Sequence, residues 1–132
     1  MSIKRLTHDQ RGQTATELAL VLPVFCVLLF GVIQFGILFN NYVTLTDAVR
    51  IGARTGAVSR HVGDPAGAAE AKVRTAAQDL EQSDLTVTVT TAGGWEHGAD
   101  VKVTAKYPYE INLLGWVAAS GSLSSSTTER VE

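Results

Sequence analysis

The sequence predicts an α+β protein: a long N-terminal transmembrane helix, a second helix, and a small three-stranded antiparallel sheet. Three observations carry that expectation. Leu18 to Phe39 runs for 22 residues without a charge, about 33 Å of helix at ~1.5 Å per residue, against ~30 Å of bilayer hydrocarbon. Downstream, Ala69, Val73, Ala76, Ala77 and Leu80 recur at helical spacing. After them, LTVTVT (85–90) and VKVTAKY (101–107) alternate at period two, as half-buried strands do.

The 132 residues suffice for one small domain. The apolar run accounts for much of the hydrophobic content, so the rest must build a thin core, at a size where burial is marginal. A net charge of −2 with scattered Lys and Arg, and no basic patch interleaved with aromatics, gives no reason to expect nucleic acid as a partner. Cys26 is the only cysteine; no intramolecular disulfide is possible, and within the span it reads as a small apolar side chain.

Residues 1–12 are polar, with Lys4, Arg5 and Arg11 against Asp9. Basic flanks stay cytoplasmic, which places the N-terminus inside and the C-terminal domain outside; Arg50, Arg54 and Arg60 work against that sense, since they begin eleven residues past Phe39, within the range that counts. The apolar run exceeds the 7–15 residues of a secretory h-region, and no small-residue cleavage site follows it closely. Pro23 within the span removes one helix hydrogen bond and predicts a kink or a point of local loosening.

The helix is expected to continue to about residue 60. Ala48, Gly52 and Gly56 recur every fourth position, with Ala53 and Ala57 beside them. Such a stripe lets another backbone approach closely, and helical glycines at a cost of ~1 kcal/mol each imply a return in packing. The partner is either this chain's own domain or a neighbouring subunit. Residues 61–132 form the small domain. Asp64 and Pro65 give an N-cap and first-turn proline for the second helix, on which Lys72, Arg74, Gln78 and Glu81 read as a solvated face. GGWEHG (93–98) is a turn joining the two strands, and Pro108 is expected to end the second. Leu113, Leu114 and Trp116 lie in INLLGWVAAS, either a loop folded under the sheet or an exposed apolar surface for a partner. The serine-rich segment after it reads as a third strand at an exposed edge.

Glu17 needs separate explanation, because a carboxylate at the mouth of a span is costly and usually has a task. A chain cut after Gly12 would begin at Gln13, with Glu17 as its fifth residue. The new α-amine, cationic below a pKa of about 7.7–8.0, would offer a neighbouring subunit's Glu17 a partner in an apolar surround. The motif Gly12-QTAT-Glu17 ahead of an apolar helix resembles the prepilin cleavage pattern. More narrowly, GQTATELALVLPVFCVLLFGVIQFGILF followed by DAVRIGARTGAV is similar to TadE-like pseudopilins of the tight-adherence (Tad, or Flp-type) pilus system. The resemblance is strong over residues 11–58, and the closing TTERVE is similar to the family's last strand; Leu18 departs from it, standing where the family often has an aromatic. The resemblance implies a pilin-like architecture, with residues 1–12 as a leader removed between Gly12 and Gln13 by a prepilin peptidase, a helix over 13–60 with its span at 18–39, and an extracytoplasmic domain over 61–132. It also implies a minor pseudopilin with Glu17 acting in assembly. The implied partners are other pilins and pseudopilins, inner-membrane assembly proteins of the Tad system and the membrane itself, with localisation in the inner membrane and passage into the pilus.

Chemistry leaves few marks. His97 with Glu96 and Asp100 lies in a glycine-rich turn, and His61 has only Asp64 nearby. Metal-binding, phosphate-loop and nucleophile motifs are absent from the sequence, so neither an enzyme, a cofactor nor a small-molecule substrate is expected. The alternative is a permanently anchored extracytoplasmic binding module with an uncleaved signal anchor, its ligand surface formed by GGWEHG and Leu113–Trp116.

Overall fold

The computed structural model describes residues 10–132, with side chains from Gly12 onward; Lys4, Arg5 and Asp9 and the rest of the first nine residues lie outside the described residues. Helix α1 (Gln10–Val58) is a single 49-residue helix with Pro23 inside it. Helix α2 (Pro65–Ala76) follows, then strands β1 (Thr86–Ala92), β2 (Asp100–Leu113) and β3 (Trp116–Arg130). The strands form one antiparallel sheet in the order β1-β2-β3.

One continuous helix carries two environments. Between Leu18 and Phe39 every Leu, Ile, Val and Phe except Leu38 is exposed. From Leu45 onward α1 has a buried face: Leu45, Ala48, Val49, Ala53 and Ala57 are fully buried. That face packs on α2 and on the inner face of the sheet, where Val101, Val103 and Ala105 of β2 meet Val73, Ala77, Leu80 and Leu85. Apart from Leu45, Leu80 and Leu85 the buried cluster is alanine and valine, which suits the close spacing that the glycines allow. At Gly52 an added Cβ would overlap Val73 Cγ2 and lie 3.1 Å from the Ala69 carbonyl oxygen. At Gly56 it would meet Val101 Cγ1 at 3.2 Å and Ala69 Cβ at 3.4 Å. Of the two partners open to the Ala48–Gly52–Gly56 stripe, the chain's own domain is the one seated there.

α2 starts as its sequence dictates. The Asp64 side chain accepts a hydrogen bond from the Gly67 N–H at 2.9 Å, and Pro65 occupies the first turn, where no N–H is needed. The periodic face extends past the helix end: Ala77 caps it and Leu80, in the turn beyond, is still buried. Arg74 departs from the expected solvated face. Its Nε donates to Glu70 Oε1 at 3.0 Å, and one of its terminal nitrogens donates to the carbonyls of Gln82 and Leu85, each at 3.3 Å. The side chain thereby ties the segment between α2 and β1 back onto the helix. A guanidinium serves here because its several donors diverge in a plane.

Two strand boundaries differ from expectation. β2 passes through Pro108 and runs on to Leu113. The reason is sheet geometry: β1 ends opposite Lys106. Beyond that point β2 is paired only with β3, so Pro108 stands where the strand has become an edge, the setting that tolerates a missing N–H. INLLGWVAAS is not a loop under the sheet. It forms the end of the β2–β3 hairpin, with Leu113 opposite Trp116 and an irregularity in register between Ile111 and Asn112.

The C-terminus closes the domain. Val131 is buried, its N–H donates to the Ala99 carbonyl at 2.8 Å, and the Glu132 N–H donates to the Ala57 carbonyl at 3.0 Å. Arg54 and Glu132 form an ion pair at 2.6 Å, but both side chains are about 60% exposed, so it contributes little.

Two substitutions check this packing. Gly52→Ala gains roughly 1 kcal/mol of helix propensity but forces Val73 and the α2 backbone away at a cost of about 1–3 kcal/mol. Its thermal unfolding midpoint, followed by circular dichroism in detergent, is expected to fall, whereas Gly36→Ala, where an added Cβ meets nothing, leaves it level or raised. Val131→Ala is expected to cost about 2 kcal/mol, measured by denaturant unfolding of the same preparation.

Candidate functional site

The residues singled out in the sequence stand at three heights along α1. Nearest the N-terminus are Gly12, Gln13 and Glu17. All three are exposed and helical, and no heavy atom lies within 4 Å of where a Gly12 Cβ would stand, leaving helix backbone and chain neighbours aside. The Gly12–Gln13 peptide sits in the first turn of the described helix, where glycine's low helix propensity makes opening cheapest. Glu17 has a local partner that the sequence reading missed: Gln13 Nε2 donates to Glu17 Oε1 at 3.1 Å, one turn away. Thr16 Oγ1 donates to the Gly12 carbonyl at 2.9 Å. The donor to Glu17 is a neutral amide; among the described residues no cation forms an ion pair with it.

Next comes the apolar run. Its 22 residues are bare of protein on nearly all sides, and α1 is long and apolar enough to cross a membrane. Pro23 has no N–H to give the helix ladder, and an open apolar groove lies beside it between Val24, Val27 and Leu28. Gly31 and Gly36 face open space. The stripe at Ala48, Gly52 and Gly56 lies ~50 Å up the helix from Glu17, at ~1.5 Å per residue, and is filled by the chain's own domain.

The third group, Leu113, Leu114 and Trp116, is at the hairpin tip. Leu114 is 62% exposed and Trp116 82%. They do not join the core; they are left as an apolar surface at the end of β2 and β3. The GGWEHG turn lies at the opposite end of β2, ~40 Å away at ~3.3 Å per residue, so the two parts of the expected ligand surface do not come together. Gly93, Gly94 and Gly98 take positive φ, which glycine alone adopts cheaply, and the turn folds Trp95 back against the core, near Gly56. Its indole is therefore only partly available, so of the two parts assigned to a ligand surface the hairpin tip is the more exposed, through Leu114 and Trp116, with Leu113 half-buried.

The sequence reading also missed a groove where the hairpin meets α1, lined by Gln34, Ile37, Leu38 and Asn41 on the helix and Tyr107 to Glu110 on β2. The signal was present in the alternation Tyr107, Tyr109, Ile111, Leu113, which continues the period of Val101, Val103 and Ala105 straight through Pro108. Among the described residues no group of three or more His, Cys, Asp or Glu side chains is placed to hold a metal ion.

Residues 12–54 match the family described as TadE-like protein, which is consistent with a TadE-like protein of the Tad pilus system. The match begins at Gly12, takes in the whole apolar run and ends within the small-residue stripe, leaving α2 and the sheet outside it. No curated protein matches the chain, and no solved structure matches it.

The isolation of the Glu17 region from the folded domain makes a sharp expectation. Glu17→Ala removes one exposed hydrogen bond far from the core, so the unfolding midpoint of the domain should stay within about 0.5 kcal/mol of the parent, measured by denaturant titration. A larger loss would mean that Glu17 has a structural role in the single chain.

Proposed function

We propose that this chain is a minor pseudopilin, a structural and assembly component of a Tad pilus, made with a leader that a prepilin peptidase removes between Gly12 and Gln13. The observation that carries the reading is the combination found at one end of α1: a Gly-x4-Glu motif opening an apolar helix that the TadE-like match covers from its first glycine. The long apolar helix favours single-pass anchoring, with the domain outside the inner membrane and the N-terminus in the cytoplasm. In that setting the bare surface of Leu18–Phe39 faces lipid first and the helices of other subunits afterwards. Among the described residues the chain's own fold reaches this surface only beside Gln34, Ile37 and Leu38, and a run of this size exposed to water would drive association.

Cleavage would change the electrostatics of Glu17. In the uncut chain its carboxylate holds a neutral amide one turn away. After the cut, Gln13 carries an α-amine, and a staggered neighbour can bring that cation to Glu17 in an apolar setting where either charge alone would be expensive. The stagger that pairs the charges is then also the stagger that packs the helices. Because the small-residue stripe is occupied by α2 and β2, contacts between subunits fall to the upstream half of α1, where Gly31 and Gly36 leave room for a neighbour's backbone. A short pilin needs only its helix; the folded domain here suits a minor component at a specialised place in the filament or its assembly complex.

The second reading, a permanently anchored binding module, draws on the outward-facing hairpin tip. It predicts an intact leader and no need for Glu17. Intact mass and N-terminal sequencing of the membrane-extracted protein, with and without a co-expressed prepilin peptidase, separate the two. A mature chain beginning at Gln13, lost in Gly12→Ala, is the expected result; Glu17→Ala is then expected to be cleaved normally and to fail to assemble. A chain that keeps its first residues in the presence of active peptidase would leave the anchored module as the better account.

A further inference from the structure

We propose that the outer half of the β2–β3 hairpin, residues 108–122, is a strap. It lies on α1 only while the upper part of the apolar run is out of the bilayer, and it swings off the helix when the run is inserted. The inference rests on the membrane-anchored reading of α1 given above and adds a moving part to it.

The heights of helix and hairpin require it. Val101 lies against Gly56, and Tyr107 to Glu110 lie beside Gln34 to Asn41, so β2 runs down α1 toward its N-terminus. Leu113 stands ~10 Å beyond Glu110, at ~3.3 Å per residue, which brings the hairpin tip level with about residue 30 of the helix. That is the middle of the uncharged run. The run is ~33 Å long, barely more than the ~30 Å of hydrocarbon it has to cross. A seated hairpin takes the upper ~15 Å and leaves residues 18–29, ~18 Å, free for lipid. The hairpin cannot share the bilayer with the helix. β3 is an open sheet edge whose backbone groups hydrocarbon does not satisfy, and Glu110 presents an exposed carboxylate. A seated hairpin and a fully inserted run therefore exclude each other.

Of the two ways out, moving the hairpin costs less than sliding the helix. A slide would draw Glu17 about 9 Å into hydrocarbon. It would also leave Val32, Ile33, Phe35, Ile37 and Phe39, all exposed in the fold, in water. The hairpin, by contrast, is held only at its base. Tyr107 and its cross-strand partner Leu123 pack against the core, and the Glu81 N–H donates to the Tyr107 hydroxyl at 3.3 Å. Beyond that pair, from Pro108 to Ser122, β1 has ended, no residue is buried, and an open groove separates β2 from α1. Tyr109 is turned onto its own hairpin, its ring 3.0–3.1 Å from where a Gly121 Cβ would stand, so the strap keeps together as a two-stranded unit when it leaves the helix. Pro108 and Ser122 face each other at the pivot, level with about residue 39, the outer end of the run. Withdrawal of the upper run from lipid frees the surface on which the strap closes, which couples the shape of the domain to the surroundings of the helix.

The test places spin labels at Val32→Cys and Ser120→Cys, both exposed positions, in the full chain carrying Cys26→Ser. Their separation is measured in nanodiscs of thin (dilauroyl) and ordinary (dioleoyl) phosphatidylcholine. Phe35→Cys with Val117→Cys repeats the measurement should the first pair disturb the fold. Native Cys26, and Ile37→Cys in the Cys26→Ser chain, report through a membrane-impermeant maleimide whether the middle and the top of the run are inserted. In dioleoyl bilayers both cysteines are expected to be shielded, with a separation at least ~10 Å longer than in dilauroyl bilayers, where Ile37→Cys is labelled. A separation that does not differ between the two lipids overturns the strap: shielded Ile37→Cys then means that the bilayer accommodates a seated hairpin, and labelled Ile37→Cys that the helix sits lower instead. A longer separation with Ile37→Cys still labelled in dioleoyl also overturns it, since the swing would not answer to insertion. Labelled Cys26 in dioleoyl removes the anchored reading and the strap together.

Discussion

The close approach of α1 to α2 at Gly52 is the constraint on which the rest of the domain depends. With no side chain at that position, Val73 and the Ala69 carbonyl lie against the helix backbone. That contact sets how near α2 sits, and Gly56 does the same for Val101 of β2. A core of alanine and valine can be dry only at such short spacings, because small side chains have no reach. The same contact fixes the sheet's height on α1, so the far end of the β2–β3 hairpin comes to lie beside Gln34 to Asn41 and not elsewhere.

This arrangement divides α1 into a gripped half and a bare half without a break between them. The C-terminal half is buried by its own chain, and the N-terminal half meets nothing from the chain's own domain until the hairpin reaches Gln34. A continuous helix joins the two mechanically, so the position of the apolar run in a bilayer or a filament dictates the position of the domain. The hairpin lies alongside the upper part of that run.

The TadE-like match follows the same division. It covers the bare half and reaches into the stripe, the part that the chain's own domain leaves mostly uncovered. α2 and the sheet lie outside it.

The sequence by itself determined the elements that local physics dictates. The charge-free run, the Asp64–Pro65 helix start, the small-residue stripe and the period-two strands were legible because each depends on neighbours one to four positions away. The Gly-x4-Glu spacing was legible for the same reason, although the Gln13 partner of Glu17 was overlooked. Only the tertiary structure decided what depends on distant residues. Pro108 reads as a strand end until β1 is seen to stop at Lys106, which turns β2 into an edge where proline is harmless. Arg74 reads as solvated until the carbonyls of Gln82 and Leu85 arrive beside it. The stripe is a contact surface on any reading, but its partner was settled by where α2 folds back. Leu113, Leu114 and Trp116 have the composition of a core, and pattern alone cannot tell a buried apolar residue from one held out at a hairpin tip; that depends on how far the strands outrun the helices that would have covered them.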